Sequence, residues 1–159
     1  MEKDIKFAAD VMLGRLAQYL KLLGYSCTYR REFPDKQLIE YGLAENRIIL
    51  TRDRKLAEQL SEPGEVLFIK TTSLRRQLEL IKDNYGLTFD KSNLFSRCPD
   101  CDVELREVEK KTIKEQIPGQ TSEWLDDYQQ CPCCKKVYWQ GTHYRAVCRR
   151  LKDWGLLDR

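Results

Sequence analysis

Arg47-Ile-Ile-Leu-Thr-Arg-Asp53 passes from an aliphatic block directly into a charged, helix-prone segment, with an aspartate at the junction. Three consecutive apolar residues, Ile48, Ile49 and Leu50, show no polar alternation, which suits a strand covered on both faces. Asp53 then opens a short helix running to Leu60. Upstream, Pro34 and Asp35 open a helix to about Glu45, with Leu38, Ile39, Gly42 and Leu43 inward. Before it come a strand over Ser26 to Arg30, a helix over Met12 to Leu23 closed by Gly24, and a strand over Ile5 to Ala9. Downstream, Glu65 to Lys70 reads as a strand and Ser73 to Tyr85 as a helix burying Leu74, Leu78, Ile81 and Tyr85. Strand and helix alternate four times in about eighty-five residues, the pattern of right-handed crossovers, a mostly parallel sheet and helices on both faces.

The 159 residues are 42% hydrophobic and 33% charged, a globular rather than a disordered composition. No apolar run approaches the roughly 20 residues of a membrane span, and the opening MEKDIKFAAD lacks the apolar segment of a signal peptide. A soluble, cytoplasmic protein with no membrane partner is the expectation. The net charge of +3 is a weak pointer to a polyanionic partner.

Of seven cysteines, only Cys27 precedes residue 98. Cys98-Pro-Asp-Cys101 and Cys131-Pro-Cys-Cys134 form two Cys-x-x-Cys knuckles, and four thiolates so spaced suit a tetrahedral structural Zn²⁺ with no open position for catalysis. Cys133 stays outside the set. The long separation, residues 102–130, fits a β-hairpin with an extended loop. Disulfides or idle thiols are the competing account, disfavoured by the soluble-protein expectation. The expected organisation is an α/β domain over 1–90, a zinc ribbon over 98–142, and a closing helix over 143–159 that packs on the body or the ribbon. That helix carries Arg145, Arg149 and Lys152 on one side.

Asp10 follows the first strand and Asp53 the third, while Asp35 opens the helix after the second. In a parallel sheet the carboxyl ends of the strands share one edge, so these acids can gather there and hold Mg²⁺ or Mn²⁺ for phosphodiester hydrolysis. Each also suits a helix N-cap, and taken singly Asp35 suits the cap better. Asparagine can cap as well, so Asp10→Asn and Asp53→Asn should leave the fold intact. Thr51, Arg52, Arg54 and Lys55 surround Asp53 with groups able to hold phosphates, or are a solvated charge run.

In order along the chain, Asp10-Val-Met-Leu-Gly-Arg-Leu-Ala17, Leu23-Gly-Tyr25, Arg47-Ile-Ile-Leu-Thr-Arg-Asp53, the two knuckles and Val137-Tyr-Trp-Gln-Gly-Thr-His-Tyr144 resemble the PIN-like ribonucleases of the Mut-seven C-terminal RNase domain family. The resemblance implies a PIN-like parallel sheet sandwiched by helices, a C-terminal zinc ribbon, and a metal-dependent ribonuclease with Asp10, Asp35 and Asp53 as catalytic acids. A fourth acid common in PIN nucleases is missing at Ile69-Lys-Thr-Thr-Ser73, where Glu40 or Asp90 would have to substitute. The expected RNA contacts are Arg52, Arg54, Lys55, Arg145 and Arg149, with Tyr138 and Trp139 either stacking on bases or packing the ribbon. The alternative is a non-catalytic zinc-ribbon protein that binds RNA or associates with the ribosome or an RNA-processing complex.

Overall fold

Parallel pairing of the short aliphatic runs builds the first unit of the protein, seen in a computed structural model that describes residues 4–60 and 65–158. The outermost positions of the expected spans, 1–3 and 159, lie outside the described residues. The chain divides into two compact units: one contains the segment up to Lys21 and Tyr25–Thr88, the other Leu22–Gly24 and the segment from Phe89 onward.

In the first unit, β1 (Phe7–Ala9), β2 (Cys27–Thr28), β3 (Ile48–Thr51) and β4 (Val66–Phe68) form a parallel sheet in the order β2-β1-β3-β4. The register pairs Phe7 with Cys27, Ala9 with Leu50 and Thr51 with Phe68. From β1 the chain winds to one side, then crosses back to place β3 on the other. The strand order reverses between β1 and β3, and in open parallel sheets ligands bind at the carboxyl ends of the strands at such a switch point.

The helices are α1 (Gly14–Leu22), α2 (Asp35–Ala44), α3 (Arg54–Gln59) and α4 (Leu74–Tyr85). Ala8 and Ile49, paired across β1 and β3, join Phe33, Leu38 and Leu56 in one apolar cluster, which seats α2 and α3 on that face. Phe7 points the other way and meets Tyr85 of α4 edge-on, ring centroids 5.7 Å apart. Both faces are therefore covered, and each fully buried Leu or Ile contributes about 1.5–3 kcal/mol. Gly42 lets α2 approach, because a Cβ there would lie 2.7 Å from Ile49 Cγ1.

Two details differ from expectation. The helix predicted from Met12 begins as a 3₁₀ turn, Val11–Leu13, and becomes α-helical only at Gly14, because the Asp10 side chain accepts from the Met12 N–H and tightens the first turn. Leu43 is 46% exposed rather than inward. Leu38 and Gly42 form the buried ridge of α2, and Leu43 lies beyond half-buried Ile39 at its margin.

In the second unit, β5 (Arg106–Val108), β6 (Tyr128–Gln130) and β7 (Val137–Tyr138) form an antiparallel sheet. The long β5–β6 connection is not strand-like. It folds into two 3₁₀ turns, Lys110–Thr112 and Lys114–Gln116, and a short helix α5 (Gly119–Trp124). Ile113 and Ile117 from this loop bury against Tyr128, with Val108, Leu125, Val137 and Trp139 around them. The closing helix α6 (Thr142–Asp153) buries Val147 and Leu151 and leaves Arg145, Arg149 and Lys152 exposed. Phe95 packs on Tyr144 of α6, and Asp158 Oδ2 accepts from the Phe89 N–H at 2.6 Å.

Candidate active site and metal centre

At the switch between β1 and β3, Asp10 is 4% exposed and Thr51 wholly buried. Thr51 Oγ1 donates to Asp10 Oδ2 at 2.6 Å, and the Arg52 N–H donates to the same oxygen at 2.8 Å. The Met12 N–H donates to Oδ1 at 2.8 Å. A carboxylate offers about four lone-pair sites, so Oδ1 keeps one for a further partner. The Asp53 N–H donates to Thr51 Oγ1 at 2.9 Å, so a single hydroxyl bridges the two acidic residues. Asp53 is itself the N-cap of α3: its Oδ1 accepts from the Lys55 and Leu56 N–H groups at 2.9 and 3.3 Å, leaving Oδ2 for other partners.

Asp10 and Asp53 are thus both caps and both strand-end acids; Asp53 caps through Oδ1 and keeps Oδ2 open, whereas in Asp10 the cap and the remaining lone pair share Oδ1. Asp35 does not cap. Pro34 holds that position without a side-chain bond, and Asp35 is the exposed first residue of α2. Among the described residues, no trio of carboxylates converges within 4.8 Å. Glu40 is exposed on α2, and Asp90 caps a 3₁₀ turn through the Ser92 N–H. The hydrogen bonds make Asp10→Asn the costlier of the two amide substitutions. Oδ1 and Oδ2 of Asp10 both face donors, so the NH₂ group that the substitution introduces would meet one of them.

Around Asp53, the Arg54 guanidinium lies 5.5 Å above the Phe68 ring, and Arg52 reaches the Lys70 carbonyl at 3.4 Å. Lys55 is exposed. Val11 and Met12, directly after Asp10, are 44% and 60% exposed, which puts apolar surface beside the acids.

The second unit holds a different cluster. Cys98, Cys101, Cys131 and Cys134 bring their sulfurs within 4.8 Å of one another, and can hold a metal ion such as zinc. Cys98 and Cys134 Sγ are 3.8 Å apart, matching the edge of about 3.8 Å that a tetrahedron with Zn–S bonds of about 2.3 Å requires. The two knuckles share one geometry. The first cysteine of each accepts at its carbonyl from the residue four positions on, Asp102 or Lys135, at 2.9 and 3.1 Å. Both of those residues take positive φ, 57° and 67°. In the second knuckle the N–H groups of Cys133 and Cys134 aim at Cys131 Sγ. Burial alone would raise the Cys131 thiol, but these N–H groups outweigh it and bring the pKa down to about 7. Cys101 is shifted upward, by burial first and then by its cysteine neighbours. Exposed Cys133 contributes its amide and not its sulfur to the cluster.

Tyr138 carries a contact that its aromatic character did not suggest: its hydroxyl donates to Cys98 Sγ at 3.3 Å. Burial, then this hydrogen bond, raises its pKa and keeps the phenol a donor. Trp139 packs on Tyr128, centroids 6.1 Å apart.

A parallel sheet with acids at its switch point, followed by a four-cysteine module, defines an α/β protein with a zinc-ribbon-type tail. A family model, the Mut7-C RNAse domain, matches residues 5–151, and the chain belongs to that family. Membership implies a ribonuclease-type hydrolase at the level of the family, with RNA as the substrate class. No curated protein and no solved structure matches the chain. Among the described residues, no helix is long and apolar enough to cross a membrane.

Proposed function

We propose that the protein is a divalent-metal-dependent endoribonuclease whose PIN-like site is built on Asp10 and Asp53, with Asp35 as an outer acid. The observation that carries this is the Thr51 bridge at the sheet's switch point, which leaves one lone pair on Asp10 Oδ1 and all of Asp53 Oδ2 for a hard cation. Mg²⁺ or Mn²⁺ bound by those oxygens supplies Lewis-acid stabilisation of the phosphoryl group and activates water. Arg52, Arg54 and Lys55 bind and orient the phosphate backbone, and Arg145 and Arg149 of α6 add further phosphate contacts. The four cysteines hold a structural zinc that shapes the ribbon. Cleavage of a labelled RNA under Mg²⁺ and Mn²⁺ titration tests the assignment; turnover that survives Asp53→Asn removes it.

One observation favours an alternative, a non-catalytic RNA-binding protein in which Tyr138 and Trp139 stack on bases. Among the described residues no three carboxylates gather within 4.8 Å. Salt-sensitive RNA binding without turnover at any metal concentration would establish it.

A further inference from the structure

The ribbon sheet has a face that meets the metal centre only through the Tyr138 hydroxyl on Cys98. Glu107 pairs with Gln129, and Gln129 with Tyr138, so these side chains form one row across three strands. The opposite face, through Val108, Tyr128 and Val137, packs in the apolar cluster, and Val108 and Tyr128 also reach the cavity beside the row. The row borders a cavity of about 260 Å³ that Phe95 and Tyr144 also line. Those two rings stand 5.1 Å apart at 61°, as angled walls rather than parallel plates. Tyr138 is anchored through its hydroxyl on Cys98, so its ring is fixed at the cavity.

Charge narrows the occupant. Glu107, Asp126 and Asp127 line the cavity, against Lys91 as the one cationic side chain among the described residues. Asp126 is paired with Lys110 at 3.2 Å, whereas Glu107 and Asp127 have no ion-pair partner among the described residues. Aromatic walls with an excess of carboxylates attract a cation. They oppose a nucleotide, whose phosphate would enter the same field.

We propose that this cavity receives the guanidinium of an arginine presented by a basic protein partner. A guanidinium is planar, stacks on aromatic faces and engages carboxylates through paired N–H donors; a lysine ammonium is more strongly hydrated and lacks that fork. The volume, below the roughly 300–1,000 Å³ of drug-sized ligand sites, suits a single side chain. The proposal is independent of the nuclease assignment, since it places a protein contact on the ribbon whether or not RNA is cleaved at Asp10.

The test is a titration of the zinc-loaded, full-length chain with N-acetyl-arginine methylamide, followed by the amide resonances of Gln129 and Tyr138. Saturable shifts are expected, with affinity at least about tenfold weaker for the neutral citrulline analogue, because the charge-assisted bonds are lost. A Glu107→Gln, Asp127→Asn double variant is expected to lose binding while keeping its zinc content and spectral dispersion, since both positions are exposed. Equal affinity for the citrulline compound, no saturable shift, or tighter binding of guanosine or adenosine monophosphate to the same resonances would overturn the proposal.

Discussion

Thr51 Oγ1 lies 2.6 Å from Asp10 Oδ2 and 2.9 Å from the Asp53 N–H, so one buried hydroxyl sets the positions of two acids that lie far apart in sequence. Thr51→Val keeps the shape and removes both bonds. The unpaired buried groups should destabilise the protein by about 1–3 kcal/mol and lower RNA cleavage, while Thr51→Ser restores both. Urea unfolding and a cleavage assay on the three proteins check this; a valine variant as stable as the wild type would show that the bridge contributes nothing.

The two aspartates should respond differently to amidation. Asn caps a helix as well as Asp, so Asp53→Asn is expected to stay within about 0.5 kcal/mol of wild type while losing cleavage. Asp10→Asn turns an NH₂ toward an existing donor and should cost about 1–3 kcal/mol in addition to the activity. Denaturant midpoints and turnover, measured on the same samples, separate the two effects.

Much of this architecture is legible in the chain. Runs such as Ile48-Ile49-Leu50 encode burial on two faces, strand–helix alternation encodes parallel pairing, and both knuckles announce their four sulfurs. What was not legible depends on the angle at which side chains meet. Tyr138 reads as a ring that stacks on bases or packs the ribbon, yet its hydroxyl holds Cys98. Thr51 reads as one polar residue among several near a phosphate site, yet it bridges the acids. Leu43 fits the helical period and still lies outside, because the period says which residues share a face and not how far the sheet extends beneath them.

Gly42 makes a test of packing alone. An alanine Cβ would sit 2.7 Å from Ile49 Cγ1 and 2.9 Å from Cδ1, against a residue fully buried in β3. Gly42→Ala should therefore destabilise the first unit by about 1–3 kcal/mol through overpacking, despite alanine's better helix propensity. Zinc content should not change. Thermal unfolding with elemental analysis gives both answers.

Zinc uptake should depend on pH with a definite sign. Cys131, whose ordinary value of 9.0 is lowered to about 7, stabilises the zinc-free ribbon above its unfolded value, and that contribution is lost as pH falls through about 7. Cys101 is shifted the other way and must give up its proton to the metal. Affinity for zinc is thus expected to fall from about pH 8 to about pH 6, with proton release on binding. Competition against a chromophoric chelator measures it. Chelation at neutral pH should unfold residues 98–140 and spare the parallel sheet, as hydrogen exchange would report.

Tyr138→Phe isolates the phenol's contribution to the metal centre. The ring, and with it the packing of β7, is retained; only the O–H donor to Cys98 Sγ at 3.3 Å is removed. Hydrogen bonds to a coordinating thiolate disperse its charge and fix its orientation, and losing such a partner typically weakens metal affinity about 10–100-fold. The phenylalanine variant is expected at the lower end of that range, because the N–H groups of Cys133 and Cys134 still hold Cys131 on the opposite knuckle. The same chelator competition reads the change. An affinity equal to wild type would mean that the hydroxyl only fills space beside the sulfur, and that the knuckle amides alone govern the site.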